Sequence, residues 1–189
     1  MAVTKTYSTT DVGKILKDSE NASVGASRGE GHAEAMHAIG AAGRGRANVT
    51  QQGLEERLID ERKTKVGAFV DCQIEAVTHA LNSQAGQNAL QYLEAAEYVF
   101  VRLPITTGTF QMVVSESELP AGKGKKIAGP MTKPASRQVT APYLAMKLMK
   151  TPEGELHIRT AFPLDSAPAG GPSCQVTYAG ASQSQELPV

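Results

Sequence analysis

Tyr98-Val99-Phe100-Val101-Arg102-Leu103-Pro104 is where the hydrophobic period of this chain changes. Tyr98, Phe100 and Arg102 alternate with Val99, Val101 and Leu103, the two-residue repeat of a strand, and Pro104 ends the run. Upstream the apolar spacing is helical. Asp11 to Asp18 reads as a short helix capped by Thr9 or Thr10, with Val12, Ile15 and Leu16 inward. Glu34 to Ile39 holds helix formers that Gly40, Gly43 and Gly45 interrupt. Thr50 caps a helix from Gln51 to about Lys65, striped by Leu54, Leu58 and Ile59. Asp71 is placed as the cap of the next helix, which runs through Ile74, Val77 and Leu81, weakens at Asn82-Ser83, and continues through Ala89, Leu90 and Leu93.

Downstream the reading is β. Thr109 to Ser115 is a second strand, and Pro120 to Pro142, rich in proline and glycine, is a long loop. Tyr143–Lys150 and Glu155–Phe162 form a hairpin through Thr151-Pro152-Glu153-Gly154, a type I turn. Strict alternation there puts Leu156, Ile158, Thr160 and Phe162 on one face, and His157 on a solvated outer face. Helices first and strands afterwards predict an α+β domain, an N-terminal helical lobe packed on a twisted antiparallel β-sheet. The expected divisions are 1–28 (helix and linker), 29–165 (the main domain) and 166–189 (a flexible tail with an edge strand near Gln175 to Tyr178).

The chain has 189 residues, enough for one domain, and no tryptophan, so its core must rest on aliphatic side chains. Its formal net charge is zero, which argues against indiscriminate attraction to polyanions. The charge is nevertheless uneven. Lys123, Lys125, Lys126, Lys133, Arg137, Lys147, Lys150 and Arg159 face only Glu153 and Glu155 between Pro120 and Thr160. Such a segment suits a phosphate backbone, and equally a solvated loop with no partner. Cys72 and Cys174 have no metal-ligand spacing, and Cys72 is expected as a buried thiol. No apolar run is long enough for a transmembrane helix, and Met1 to Thr10 lacks a secretory signal. Export would therefore need secretion machinery or a larger carrier polypeptide.

The chemistry-bearing residues cluster in Gly31-His32-Ala33-Glu34-Ala35-Met36-His37. Histidine can take and give a proton near neutrality. With Arg57 and Thr160 as charge stabiliser and hydroxyl donor, His32 and His37 are the residue types that RNA cleavage by its own 2′-hydroxyl requires, with no metal or cofactor. A five-residue separation turns two side chains about 140° apart on a helix, so the histidines converge only if the turn is irregular. The plainer alternatives are a surface Arg57–Glu61 pair, a merely β-forming Thr160 and a helix-surface His79. His-x4-His is not the His-Glu-x-x-His pattern, and no further zinc ligands present themselves.

The ordered set Gly31-His32 with His37, Thr50 with Leu54, Arg57 and Leu58, Phe69-Val70-Asp71, the helix around Asn82 to Gln87, and Thr160-Ala161-Phe162-Pro163 resembles a known family. It is similar to the C-terminal ribonuclease toxin domains of bacterial polymorphic toxins, in the barnase, EndoU, colicin and RelE superfamily, and most of all to RNase A-like contact-dependent inhibition toxins. The resemblance spans about Gly29 to Pro163. It implies an antibacterial, metal-independent endoribonuclease with His37, Arg57 and Thr160 as catalytic residues and His32 close by. Phe162 stands where many relatives have tyrosine, and the segment around Gly40 to Asn48 lengthens the gap between His37 and Arg57. The implied partners are RNA (tRNA, rRNA or mRNA), bound through Lys123, Lys125, Lys126, Arg137, Lys147 and Arg159, and a cognate, acidic immunity protein. No membrane partner is implied. The implied place of action is the cytoplasm of a target cell, after delivery by a bacterial secretion system. Two other functions fit some of the same residues: an ADP-ribosyltransferase toxin, for which Glu116-Ser117-Glu118 is a thin glutamate motif, and a non-enzymatic adaptor or immunity protein.

Overall fold

The computed structural model describes residues 5–20, 22–24, 31–39, 49–61, 63–117 and 134–189. The fold is α+β. Helices α1 (Thr9–Ser19), α2 (Ala33–His37) and α3 (Gln51–Asp60) come first, with the short β1 (Ala38–Ile39) directly after α2. Then follow β2 (Lys65–Val70), α4 (Gln73–Asn82), α5 (Gln84–Leu93), β3 (Tyr98–Pro104) and β4 (Gln111–Glu116). β5 (Ala135–Thr140), β6 (Tyr143–Lys150), β7 (Leu156–Leu164), β8 (Ser173–Thr177) and β9 (Gln185–Leu187) complete the order.

Where one sheet was expected there are two. The smaller has the order β1-β2-β4-β5, with β1 parallel to β2, and the larger is antiparallel, β7-β6-β3-β8-β9. α3 stops at Asp60, not near Lys65, and Lys65–Val70, which the sequence pattern leaves unassigned before the Asp71 cap, is a strand. Alternation on β3 sends Val99, Val101 and Leu103 into the main core, where they meet Leu16, Val77, Leu81 and Leu93 from α1, α4 and α5. The smaller sheet is sandwiched. Phe69, Met112 and Val114 join the main core, while Val66, Ala68 and Val113 meet Leu54 and Leu58 of α3 in a second cluster.

Local signals account for the helix ends. Ser8, not Thr9 or Thr10, caps α1 through a reciprocal capping box with Asp11. Thr50 caps α3 by accepting from the Gly53 N–H at 3.0 Å. Cys72, not Asp71, is the N-cap of α4; Asp71 takes a left-handed φ of 54° instead. Ser83 separates α4 from α5, its hydroxyl donating to the Ala80 carbonyl at 2.7 Å and accepting from Gly86 at 3.1 Å. The hairpin turn is as read. Gly154 has φ 87°, a conformation only glycine adopts without cost, and its N–H donates to Thr151 at 2.9 Å.

Two expectations about the chain's divisions are corrected. Residues 166–189 are not a loose tail: β8 pairs with β3 within the larger sheet and buries Cys174 and Val176 in the core. The strand expected near Gln175 to Tyr178 exists, at Ser173–Thr177, but lies between β3 and β9 and not at the edge. Nor is α1 a separate appendage, since Val12 and Leu16 are wholly buried in the shared core.

Candidate functional site

Strand β7 forms one edge of the larger sheet and comes against β2 of the smaller one. Between them opens a cleft of about 440 Å³, closed at its end by α2 and the last turn of α3. His32, His37, Arg57 and Thr160 all line it. The histidines meet because His32 lies just before α2 and His37 at its last residue, so the helical 140° argument does not govern them. Their ring centroids are 6.0 Å apart.

His37 is only 9% exposed. Its Nδ1 lies 3.1 Å from the Gly67 carbonyl, which can only accept, so the proton resides on Nδ1 and Nε2 keeps a lone pair. Burial drives its pKa down to about 3, against the Gly67 hydrogen bond, which favours the charged ring. Arg57, His32 and Lys63 add positive neighbours that push the same way as burial. The ring also packs against Phe162, with centroids 5.2 Å apart. His32 is half-buried and is seated by its backbone, whose N–H donates to the Arg159 carbonyl at 2.9 Å.

Arg57 follows from the α3 stripe. With Leu54 and Leu58 buried, the residue between them on the last turn emerges at the rim of the sheet. Its Nη1 donates to the Met36 carbonyl at 3.0 Å and its Nε to Glu61 at 3.2 Å. The expected Arg57–Glu61 pair therefore exists, and the same guanidinium also ties α3 to α2.

Thr160 owes its position to a β-bulge. Lys147 pairs with Thr160 and Leu148 with Ile158, leaving Arg159 as the extra residue. This shifts the alternation by one. Ile158 and Ala161 point into the core, while Thr160, Phe162 and Leu164 line the cleft. The expectation that Ile158 and Thr160 share a face is thus overturned, and the Thr160 Oγ1 has no hydrogen-bond partner among the described residues. Before the bulge, His157 is 2% exposed, not solvated as expected, because the end of α1 and residues 22–24 flank it.

The rim of the cleft is charged. Asp165 takes Lys65 at 3.0 Å and Arg137 at 2.7 Å, and Glu116 also pairs with both cations. Burial alone would raise the Asp165 pKa, but these pairs outweigh it and the carboxyl is lowered. Glu61 pairs with Lys63 as well as Arg57. Of the basic residues singled out from the sequence, Arg137 is therefore at this rim. Lys147 stands 3.7 Å over the Tyr98 ring and Arg159 is the bulged residue. Lys123, Lys125, Lys126 and Glu118 lie outside the described residues. His79 sits away from the cleft in α4, hydrogen-bonded through Nε2 to Thr107 at 2.6 Å. Cys72 is half-buried, with Sγ donating to the Gln111 carbonyl.

Sequence reasoning missed Gln73. It is 4% exposed, and its Nε2 donates to Ala33 at 2.7 Å and Ala161 at 3.0 Å. One amide thus fastens the start of α2, and with it both histidines, to the strand that bears Thr160. A polar residue one place inside a helix start gave no hint of this. Lys63, Lys65 and Gly67, also on the cleft wall, were missed with β2 itself.

Among the described residues no three His, Cys, Asp or Glu side chains converge as a metal-ligand set, and no helix is long and apolar enough to cross a membrane. Comparison with family models, with curated proteins and with solved structures gave no match.

Proposed function

We propose that this chain is a metal-independent endoribonuclease that acts as an antibacterial toxin. The observation that supports the reading is the meeting of His32 and His37 with the distant Arg57 and Thr160 in one cleft. His37 is the general base. Its Nε2 takes the proton of the RNA 2′-hydroxyl, and that oxygen forms a bond to the adjacent phosphorus. The bond from phosphorus to the 5′-oxygen breaks, and His32, as imidazolium, protonates the departing oxygen. The products are a 2′,3′-cyclic phosphate and a 5′-hydroxyl. Arg57 and the Thr160 hydroxyl meet the charge that builds on the phosphorane oxygens. A pKa near 3 makes a free imidazole a weak base, but a bound phosphate is a negative neighbour and raises it.

A cell that makes such an enzyme must restrain it, so the reading includes a cognate immunity protein, acidic to match the basic residues between Pro120 and Thr160. It also includes delivery by secretion machinery or on a larger polypeptide, with action on tRNA, rRNA or mRNA in the cytoplasm of the target cell.

The test is RNA cleavage in EDTA, with analysis of the ends. Cleavage should persist and leave cyclic phosphates, and His37→Ala or Arg57→Ala should each lower it by ~10²-fold or more, the scale of a lost acid–base group or charge stabiliser. His79→Ala should lose little. Activity abolished by chelator and restored by magnesium would overturn the reading.

A further inference from the structure

We propose that the face of the larger sheet turned away from α4 and α5 is a stacking platform for the bases of single-stranded RNA leaving the cleft. The proposal rests on the nuclease reading for its substrate, but not for its geometry. The alternation that buries Val99, Val101 and Leu103 puts Tyr98, Phe100 and Arg102 on the opposite side, all half-buried. Register carries the row across the sheet: Phe100 pairs with Lys147, and Lys147 with Thr160. The chain has four phenylalanines. Phe69 and Phe110 are buried, whereas Phe100 and Phe162 keep part of their surface in water.

The rings form a continuous path. Beyond the two histidines, His37 lies 5.2 Å from Phe162, and Phe162 lies 6.5 Å from Phe100. Cations cover the rings instead of forming ion pairs. The Arg102 guanidinium is 5.0 Å over Phe100 and the Lys147 ammonium 3.7 Å over Tyr98, and neither pairs with a carboxylate among the described residues. On β3, β6, β7 and β8 this face bears no carboxylate; Glu186, on the outermost strand, marks its margin. Aromatic planes interleaved with cations held outside ion pairs match one kind of occupant, a strand whose bases are unstacked and whose phosphates are negative. A duplex keeps its base faces covered and cannot use the rings. The platform begins at Phe162, which also lines the cleft, so the strand it holds is the one being cut.

The experiment compares wild type with Phe100→Ala, Phe100→Tyr and Arg102→Gln, none of them a cleft residue. A short fluorescent 2′-O-methyl oligoribonucleotide cannot supply the attacking hydroxyl and reports binding alone. Phe100→Ala should weaken its binding roughly 5- to 100-fold, the range for losing one stacked base, and Phe100→Tyr should restore it. Arg102→Gln, which removes no core packing, should weaken binding and flatten its salt dependence. Cleavage of a dinucleotide, too short to reach Phe100, should be unchanged in all three. Equal binding by wild type and Phe100→Ala, or equal affinity for duplex RNA, overturns the platform even if RNA is cut. Phe100-dependent binding by a protein that cuts no RNA retains the platform and overturns the nuclease reading instead.

Discussion

His32 and Arg159 are joined by one backbone hydrogen bond of 2.9 Å, and Arg159 is the extra residue at the register shift between β6 and β7. In a regular antiparallel edge the outward carbonyls face water. The bulge turns one of them to a loop that no other strand could reach, and so sets a histidine beside Thr160.

Deleting Arg159 separates the two effects of that bulge. The ladder becomes regular with Thr160 still on the cleft side, but His32 loses its acceptor. Arg159→Ala keeps the carbonyl and loses only the cation. Cleavage of a dinucleotide should fall at least ~10-fold more in the deletion than in Arg159→Ala, since small misplacements of catalytic groups are expensive. Equal activities, with matching circular dichroism, would remove the backbone from the account.

Folding stability should depend on pH through His37. Its pKa is lowered from 6.5 to about 3 in the folded state, so between these values the unfolded chain binds more protons. Its contribution is therefore complete above pH 6.5 and is lost as pH falls towards 3. The slope from this one group is at most about 1.4 kcal/mol per pH unit. His157, also lowered by burial and then by Arg159, adds to it in the same direction. Urea unfolding at pH 7 and pH 5 should show the loss in wild type and less of it in His37→Asn; an identical pH dependence in both would contradict the assignment.

Gln73→Leu keeps the bulk of the side chain and removes both of its donors. Two carbonyls, of Ala33 and Ala161, each lose a donor in a buried place. The expected cost is ~2 kcal/mol or more in urea unfolding, at about 1–3 kcal/mol for each orphaned group. Cleavage at a temperature where the variant is fully folded should fall as well, because α2 is no longer fastened to β7. Loss of stability with unchanged turnover would make Gln73 a packing residue only.

Asp165→Asn should tighten the binding of RNA. Lys65 and Arg137 now share this carboxylate, and neutralising it frees positive charge at the cleft rim. Affinity for an uncleavable oligonucleotide should rise and its salt dependence steepen, since more counterions are displaced. Weaker binding would show that Asp165 holds its cations in place instead of competing for them.

The sequence made most of this legible where one rule acted alone. The Thr50 cap, the Tyr98–Pro104 alternation and the Thr151–Gly154 turn depend on neighbours within a few residues, and each stands as read; of the α3 stripe Leu54 and Leu58 are buried, while Ile59 is exposed. β2 is short and interrupted by Gly67, and β8 reads only as an edge strand; the pairing of β2 with β4, and the place of β8 between β3 and β9, are set across the fold. The bulge is a tertiary decision of the same kind. Strict alternation gave Thr160 the right edge of the sheet but the wrong face, and His157 the wrong surroundings. The two histidines met for a reason that helical geometry could not supply, since only one of them is in the helix.

The place of β8 has a consequence for how the chain comes to be made. β3 has β6 on one side and β8 on the other, so one of its edges lacks a partner until residues 173–177 have been synthesised. Until then a nascent chain presents an unpaired apolar strand, Val99 and Val101 beside it, to whatever is near. A product cut short after Asp165 would keep every residue of the cleft and still lack the two valine-facing neighbours Cys174 and Val176. Such a fragment would aggregate through its open edge before it could act. The cleft thus depends on strands that contribute nothing to its own lining.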